Sequence, residues 1–257
     1  EAFSFKNIAL ADDSVSWLVG QRGVILKTTN KGSEWEFQSS GSLSQLNDVC
    51  FISADSGYAV GNRGTLLQTT DGGDTWNLIP LGNISNYNCV YFLNHNEGWI
   101  VGDSAIVLST TNAGNTWVRD TLSNLIPPYS LTDFSASAKT RISPGVKYIV
   151  GQGGAILNGT PNSETGKLEW RKVWGGITIK RINKIAVFSD WRFLLAGEQG
   201  LLVWVGTGQS PIIYLSIASH YDLMDMSVIN KKAVWAVGSY GIVKKKKNRM
   251  DFSVLTH

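Results

Sequence analysis

Apolar and polar residues alternate over short stretches of this chain, and turn-forming residues separate the stretches. The clearest example is residues 47–80, where NDVCFIS, YAVG, GTLLQT and TWNLIP follow one another, with ADSG, NR and DGGD between them. A period of two with β-branched and aromatic residues indicates strands, and Gly, Asp and Asn at the breaks indicate tight turns. The pattern therefore predicts four consecutive antiparallel strands, which we call A to D.

The four-strand pattern recurs along the chain, and each copy has a glycine at the end of strand B. These glycines are Gly20, Gly61, Gly102, Gly151, Gly197 and Gly238, at steps of 41, 41, 49, 46 and 41 residues. Repeats of this length with four short strands are typical of propeller blades. We therefore predict an all-β fold, a six-bladed β-propeller of four-stranded antiparallel blades. Residues 1–257 are predicted to form this single domain, a size that suits one large all-β fold.

The two chain ends fit a closed ring. Thirteen residues separate Trp35 from Asp48, and the same number separates Trp76 from Cys89. Counting from Phe252 through the end of the chain and on from its beginning to Asn7 gives 12 residues. A single blade leaves both of its faces uncovered, so we expect the blades to close and the termini to meet in one ordinary connection.

Composition narrows the classes of partner. The net charge is +3 with both signs interspersed, which is too small to indicate nucleic acid binding. No apolar run approaches the roughly 20 residues of a membrane helix, so no transmembrane segment is predicted. Cys50 and Cys89 leave the same face of their blades, so we expect no disulfide. The three histidines lack metal-ligand spacing, and we expect neither a metal nor a cofactor.

A second shared element follows strand C in the first three repeats. It reads TTDGGDTW at residues 69–76, with partial copies ending at Trp35 and Trp117. Gly permits positive φ, Asp or Asn can accept N–H groups of its own turn, and the Trp can pack between blades. We interpret the element as structural, and its residues are Asn30, Trp35, Asp71, Gly73, Trp76, Asn112 and Trp117. In the alternative interpretation Asp71 binds a metal or acts as a base, but the asparagines of the sister repeats disfavour it.

This element is the Asp-box, (Ser/Thr)-x-Asp-x-Gly-x-Thr-Trp. The longer string SGYAVGNRGTLLQTTDGGDTW resembles the repeat of the Ycf48-like family of photosystem II stability and assembly factors, which are Asp-box or BNR-repeat propellers. The resemblance is specific over the first three repeats and continues as degenerate copies. It implies an exported, noncatalytic scaffold or assembly factor in a periplasmic, lumenal or cell-surface location. The implied partners are proteins, the subunits of a membrane-associated complex.

One face of the predicted disc carries the candidate binding residues. If strand A is innermost, the D-to-A and B-to-C connections share this face, and it mixes Arg, Tyr and carboxylates as protein-recognition surfaces do. The predicted contact residues are Arg22, Arg63, Asp103, Glu198, Tyr240, Tyr87, Arg181 and Tyr221. The predicted channel mouth is lined by Asn7, Asp48, Asp133, Lys184 and Asp225. A solvated rim without a partner is the other interpretation of these residues.

The main alternative function is an Asp-box glycoside hydrolase or a glycan-binding propeller, because sialidases and other glycosidases use this repeat. Such a site needs clustered arginines, or two carboxylates about 5 to 9.5 Å apart. Asp48, Asp133 and Asp225 are predicted to lie on alternate blades, which keeps them apart. We therefore expect no catalytic residues and no enzyme.

Overall fold

The computed structural model describes residues 3–120, 122, 129–137, 145–162, 167–172, 177–189, 192–206, 212–214, 221–230, 233–239, 243–248 and 251–255. Regular structure in these ranges consists of short strands and three-residue 3-10 turns, so the all-β prediction is confirmed. No helix in these ranges is long and apolar enough to span a membrane. The chain forms two compact units, Glu1–Asp120 and Thr121–His257. The single-domain assignment stays a prediction.

The first unit contains three four-stranded sheets. The first consists of β1 (Phe5–Leu10), β2 (Ser16–Gly20), β3 (Ile25–Thr28) and β4 (Glu36–Gln38). The second consists of β5 (Leu46–Phe51), β6 (Gly57–Gly61), β7 (Leu66–Thr69) and β8 (Asn77–Leu78). The third consists of β9 (Tyr87–Phe92), β10 (Gly98–Gly102), β11 (Ile106–Thr110) and β12 (Val118–Arg119). Neighbouring strands are consecutive in the chain and antiparallel, as predicted for strands A to D.

The second unit repeats this topology in its described ranges. One sheet consists of β13 (Leu131–Ala136), β14 (Lys147–Gly151), β15 (Ile156–Pro161) and β16 (Leu168–Lys172). The next consists of β17 (Ile182–Ser189), β18 (Arg192–Gly197), β19 (Leu201–Val205) and β20 (Ile212–Tyr214). The last consists of β21 (Leu223–Asn230), β22 (Ala233–Gly238), β23 (Val243–Asn248) and β24 (Asp251–Leu255). The prediction of four-stranded antiparallel sheets is therefore confirmed in both units.

Aromatic side chains fill the space between neighbouring sheets of the first unit. Trp17 of β2 stacks on Phe51 of β5 with ring centroids 3.5 Å apart, and Phe51 meets the edge of Trp76 at 5.9 Å. Aromatic rings are buried in offset or edge contacts of this kind because each removes a large apolar area from water. The same arrangement recurs one repeat later with Tyr58, Phe92 and Trp117.

The core of the second unit keeps this aromatic packing without the Asp-box string. Trp170 of β16 is completely buried and meets Phe134 of β13 at 5.9 Å. Gly159 of β15 lies flat against the Trp170 ring, since a Cβ there would come within 2.8 Å of the indole. Tyr148 and Phe193 make the contact between the first two sheets of this unit, at 5.0 Å.

The two cysteines are not bonded to each other, as expected. Burial, followed by the nearby carboxylate of Asp48, raises the pKa of the Cys50 thiol to about 12. A thiol with such a pKa stays protonated at neutral pH, and it is the thiolate that reacts. Cys50 is therefore a small core residue, not a reactive group.

Candidate protein-binding face

The turns between the second and third strands of the sheets share one geometry. In the first repeat the N–H of Gln21 donates to the carbonyl of Ser4 at 3.0 Å, which ties the turn to the segment before β1. The next residue, Arg22, has a φ of 55°, and a glycine with positive φ follows it. Positive φ is uncommon for a side-chain-bearing residue. It persists here because hydrogen bonds on both sides of the tip fix the turn.

Arg63 occupies the same tip position in the neighbouring repeat, with a φ of 57°. Its N–H donates to Oδ1 of Asn86 at 3.0 Å, and the N–H of Gly64 donates to the carbonyl of Ser85 at 2.8 Å. Arg22 and Arg63 are both exposed to solvent. Arg22 and Arg63 therefore lie on two fixed turns at equivalent positions of neighbouring repeats. These turns are the B-to-C connections that the repeat pattern predicts.

The predicted acidic contact residues fasten the connections around the tips. Asp103 is half-buried and accepts the side-chain N–H groups of Asn86 at 2.9 Å and Asn88 at 3.0 Å. Glu198 accepts the backbone N–H of Arg181 at 3.0 Å. Arg181 is exposed and so is Tyr221, whereas Tyr240 lies outside the described residues.

Tyr87 requires a correction to the set of contact residues. It is completely buried, because as the first residue of β9 it points between the second and third sheets and packs beside Tyr58 and Leu66. Asn83 donates its side-chain N–H to the Tyr87 hydroxyl at 2.6 Å. Burial raises the pKa of this hydroxyl above its ordinary value. Tyr87 therefore supports the connection from inside and offers no surface to a partner.

The predicted channel-mouth residue Asp48 joins two sheets. Its carboxylate is buried, and Oδ2 accepts the N–H of Val90 on β9 at 2.8 Å. Oδ1 accepts the N–H of Val49 at 3.0 Å and also the side-chain N–H of Asn7 on β1. Asp48 thus satisfies backbone donors of its own sheet and of the next one, and its side chain contacts all three sheets of the first unit.

Asp133 joins two neighbouring sheets of the second unit, as Asp48 does in the first. It is buried on β13, and its Oδ2 accepts the N–H of Ile185 on β17 at 2.9 Å. Lys184 lies 3.3 Å from Asp133 and 3.6 Å from Asp225, so the three predicted mouth residues of this unit form one ion cluster. The two carboxylates therefore approach each other to within about 7 Å, and the prediction that alternate repeats keep them apart is wrong for this pair, because both side chains turn toward the same ammonium group. Asp225 is half-exposed and accepts the N–H of Met226 at 2.8 Å. No group of three or more His, Cys, Asp or Glu in the described ranges is arranged to hold a metal.

Three exposed aliphatic residues on the D-to-A connections were not found from the sequence. Leu43 and Ile179 are each 89% exposed, and Ile84 is 87% exposed. Leu43 lies five positions before Asp48, Ile84 five positions before Cys89, and Ile179 five positions before Lys184. Asp48, Cys89 and Lys184 occupy the same position in the first strand of their repeats. The sequence does contain a signal for two of these residues, namely the similar strings GSLS at residues 41–44 and GNIS at residues 82–85. The similarity is found only when the connections between repeats are aligned as well as the strands.

The Asp-box of the second repeat is held by hydrogen bonds within its own turn. The Thr69 hydroxyl donates to Oδ1 of Asp71 at 2.8 Å and accepts the N–H of Gly73 at 2.8 Å. Thr75 donates its N–H to Oδ1 at 2.9 Å and its hydroxyl to Oδ2 at 2.6 Å. Asn30 and Asn112 accept the equivalent backbone N–H groups in their turns at 2.9 and 3.0 Å. An amide oxygen can replace the carboxylate in these bonds, which favours the structural interpretation.

We predict a pH-dependent contribution of Asp71. The hydrogen bonds from Thr75 and Thr69 lower the pKa of Asp71 from its ordinary 3.8 to about 2. Because the folded-state pKa is depressed, the carboxylate stabilises the fold at neutral pH, and this contribution is lost as the pH falls from about 4 through about 2. In urea titrations the difference in free energy of unfolding between wild type and Asp71→Asn should therefore shrink over that interval. A difference that stays constant with pH would show that the carboxylate charge is irrelevant to the turn.

Comparison with solved structures shows a propeller-like fold. YCF48 bound to D1 peptide matches with a TM-score of 0.74 at 18% identity, covering 98% of this chain and 80% of that chain. YCF48 from Cyanidioschyzon merolae matches with a TM-score of 0.73 at 21% identity, covering 98% and 84%. AFV00434, an ancestral GH74 enzyme, matches with a TM-score of 0.75 at 13% identity, covering 98% of this chain but 38% of that chain. No curated protein matches the chain.

A family model gives the more specific result. The model described as "Photosynthesis system II assembly factor YCF48" matches residues 40–204. This span contains the second, third and fourth sheets and most of the fifth. It covers more than half of the sequence, and the chain belongs to the YCF48 family of photosynthesis system II assembly factors.

Proposed function

We propose that this protein is a noncatalytic, exported scaffold that binds protein subunits of a membrane-associated complex during its assembly or stabilisation. Its six repeats form one domain in this proposal, a six-bladed propeller with all blades closed into a ring. Family membership supports the assembly role, and a relative has been solved with a peptide bound. The four-stranded sheets of equal strand order support the propeller.

The observation that carries the binding proposal is the pair of exposed arginines at equivalent tips. Arg22 and Arg63 stand on turns whose backbone is already fixed by hydrogen bonds, so little further ordering is needed when a partner binds. A guanidinium presents a planar set of donors that matches a carboxylate, which a Lys ammonium does not. Two such groups at one repeat position suit a partner that carries acidic side chains.

The glycoside hydrolase alternative has weaker support. Of the three candidate carboxylates, Asp48 and Asp133 are buried under backbone N–H groups of the neighbouring sheet. Asp225 is half-exposed, but it shares the ammonium group of Lys184 with Asp133, so the pair lacks a second carboxylate that is open to a substrate. A general acid or base must reach the proton that it transfers. Carboxylates engaged in joining sheets are poorly placed for that role.

A charge-reversal experiment tests the proposed function. We expect Arg22→Glu combined with Arg63→Glu to abolish capture of a membrane-complex subunit in a pull-down from solubilised membranes of the source organism. The melting temperature should stay within a few degrees, because exposed turn charges contribute little to stability. Arg119→Glu combined with Arg192→Glu is the matched control, since both arginines are exposed strand residues away from the tips and the charge change is equal. Undiminished capture by the first double variant would remove this face from the proposal.

A further inference from the structure

The exposed aliphatic residues of the D-to-A connections lie at the centre of one recurring turn. Before Leu43, the Ser42 hydroxyl oxygen accepts the N–H of Ser44 at 3.1 Å. Before Ile84, the Asn83 side-chain oxygen accepts the N–H of Ser85 at 3.1 Å. Before Ile179, the Thr178 hydroxyl oxygen accepts the N–H of Lys180 at 2.9 Å. These local bonds preset the turn, so each aliphatic side chain projects into solvent from a fixed backbone.

The exposure of these aliphatic side chains indicates a binding role because it recurs at one position of the repeat. A single exposed Leu is ordinary on a soluble protein and needs no explanation. Here three connections place a Leu or Ile at one repeat position, and each is between 87% and 89% exposed. An aliphatic residue contributes nothing to a turn of this kind that Ser or Asn would not, whereas it can anchor a partner's apolar side chain.

In the first unit each aliphatic turn touches an arginine-bearing tip. A Cβ on Gly23 would come within 1.9 Å of the Ser42 carbonyl oxygen, and one on Gly64 would come within 2.1 Å of the Asn83 carbonyl oxygen. The glycines let the two turns pack backbone to backbone. Arg22 and Arg63 immediately precede these glycines in the chain, so each arginine stands beside the turn that presents Leu43 or Ile84.

The first of these pairs borders a groove. Arg22 and Leu43 both line a surface depression of about 390 Å³, together with Phe37, which is 67% exposed. Of the described residues that line it, Arg22 is the charged one. The groove therefore offers apolar surface with one positive group at its edge. An extended chain with an apolar and an acidic side chain complements that combination.

We propose that Leu43 with Arg22, and Ile84 with Arg63, form a paired-turn surface that binds an extended acidic and apolar segment of a partner protein. Each aliphatic residue contacts an apolar side chain of the segment, and each arginine binds an Asp or Glu. Ile179 is outside this surface, because the tip beside its turn carries Gly153 and not an arginine. The inference rests on the proposed function and specifies the chemistry of the partner.

The test uses synthetic peptides of one fixed length on a Gly and Ser background. One set carries both Glu and Leu at varied spacings, a second carries Glu alone, a third Leu alone, and a fourth Lys with Leu. Dissociation constants are measured by fluorescence polarisation with the full chain. We expect the best Glu and Leu peptides to bind about tenfold or more tightly than any other set, since each apolar contact adds to the ion pairing.

Two double variants separate the contributions. Leu43→Ser with Ile84→Ser should abolish the preference for Leu while leaving weaker, salt-sensitive binding to Glu. Leu78→Ser with Val118→Ser is the matched control, because both residues are exposed aliphatics on the last strands of their sheets and not on the aliphatic turns, and it should bind like wild type. Unchanged melting temperatures establish that all variants are folded.

The outcomes distinguish this inference from the proposed function. Equal binding of Glu peptides with and without Leu, or an unchanged Leu preference after Leu43→Ser with Ile84→Ser, overturns the inference. If that variant also still captures the protein partner while Arg22→Glu with Arg63→Glu does not, the proposed function stands and recognition is electrostatic alone. If the arginine variant captures the partner as wild type does, the proposed function itself fails.

Discussion

Replacing Trp76 by alanine is expected to lower the free energy of unfolding by about 3 to 5 kcal/mol, the usual cost of removing a large buried aromatic side chain. Trp76 is 8% exposed and lies edge-on to Phe51, which in turn stacks on Trp17 of the preceding sheet. The alanine variant opens a cavity at the point where two sheets meet. Urea or guanidinium titration of the full chain measures the change.

Two further variants show whether packing is the cause. The indole Nε1 of Trp76 is buried and has no hydrogen-bond partner among the described residues. Trp76→Phe keeps most of the ring and removes that N–H, so it should cost far less than Trp76→Ala. Asp71→Ala removes only hydrogen bonds at an exposed turn and should also be much milder. If Asp71→Ala destabilises the protein as much as Trp76→Ala does, turn chemistry outweighs packing and our ranking is wrong.

The strand pattern could be predicted from the sequence because the local signals agree with one another. In the second repeat the period of two, the glycine after strand B and the turn residues at DGGD all indicate the same four strands, which are β5 to β8. The Asp-box turn was equally predictable, since its hydrogen bonds join residues at most four positions apart. Interactions this local are encoded in a short string.

The side-chain environments depend on contacts with neighbouring repeats, so they were harder to predict from the sequence. Tyr87 stands next to a connection and looked like a contact residue, yet its burial is set by the second sheet, some 20 to 30 residues away in the chain. The role of Asp48 depends on Val90, which is 42 positions away. The exposure of Leu43 follows from a turn that no strand pattern describes. Comparing connections as well as strands in register would have revealed the last of these.

Replacing Asp48 by alanine is expected to lower the free energy of unfolding by about 2 to 5 kcal/mol. The change leaves the N–H groups of Val49 and Val90 without their acceptor, and a buried unsatisfied donor costs about 1 to 3 kcal/mol. It also removes a link between the second and third sheets. Hydrogen exchange should show the loss at β5 and β9 before other strands.

Asp225→Ala is the matched control for Asp48→Ala, because both aspartates occupy the same position in the first strand of their repeats. Asp225 is half-exposed, and its ion pair with Lys184 at 3.6 Å is open to solvent screening. Exposed pairs of this kind contribute at most about 1 kcal/mol, so this variant should be nearly as stable as wild type. Equal losses in the two variants would mean that position in the repeat, not burial under the backbone N–H groups of the next sheet, determines the effect. A clear difference would establish that the carboxylates predicted to line a channel mouth serve, where they are buried, to hold adjacent sheets together.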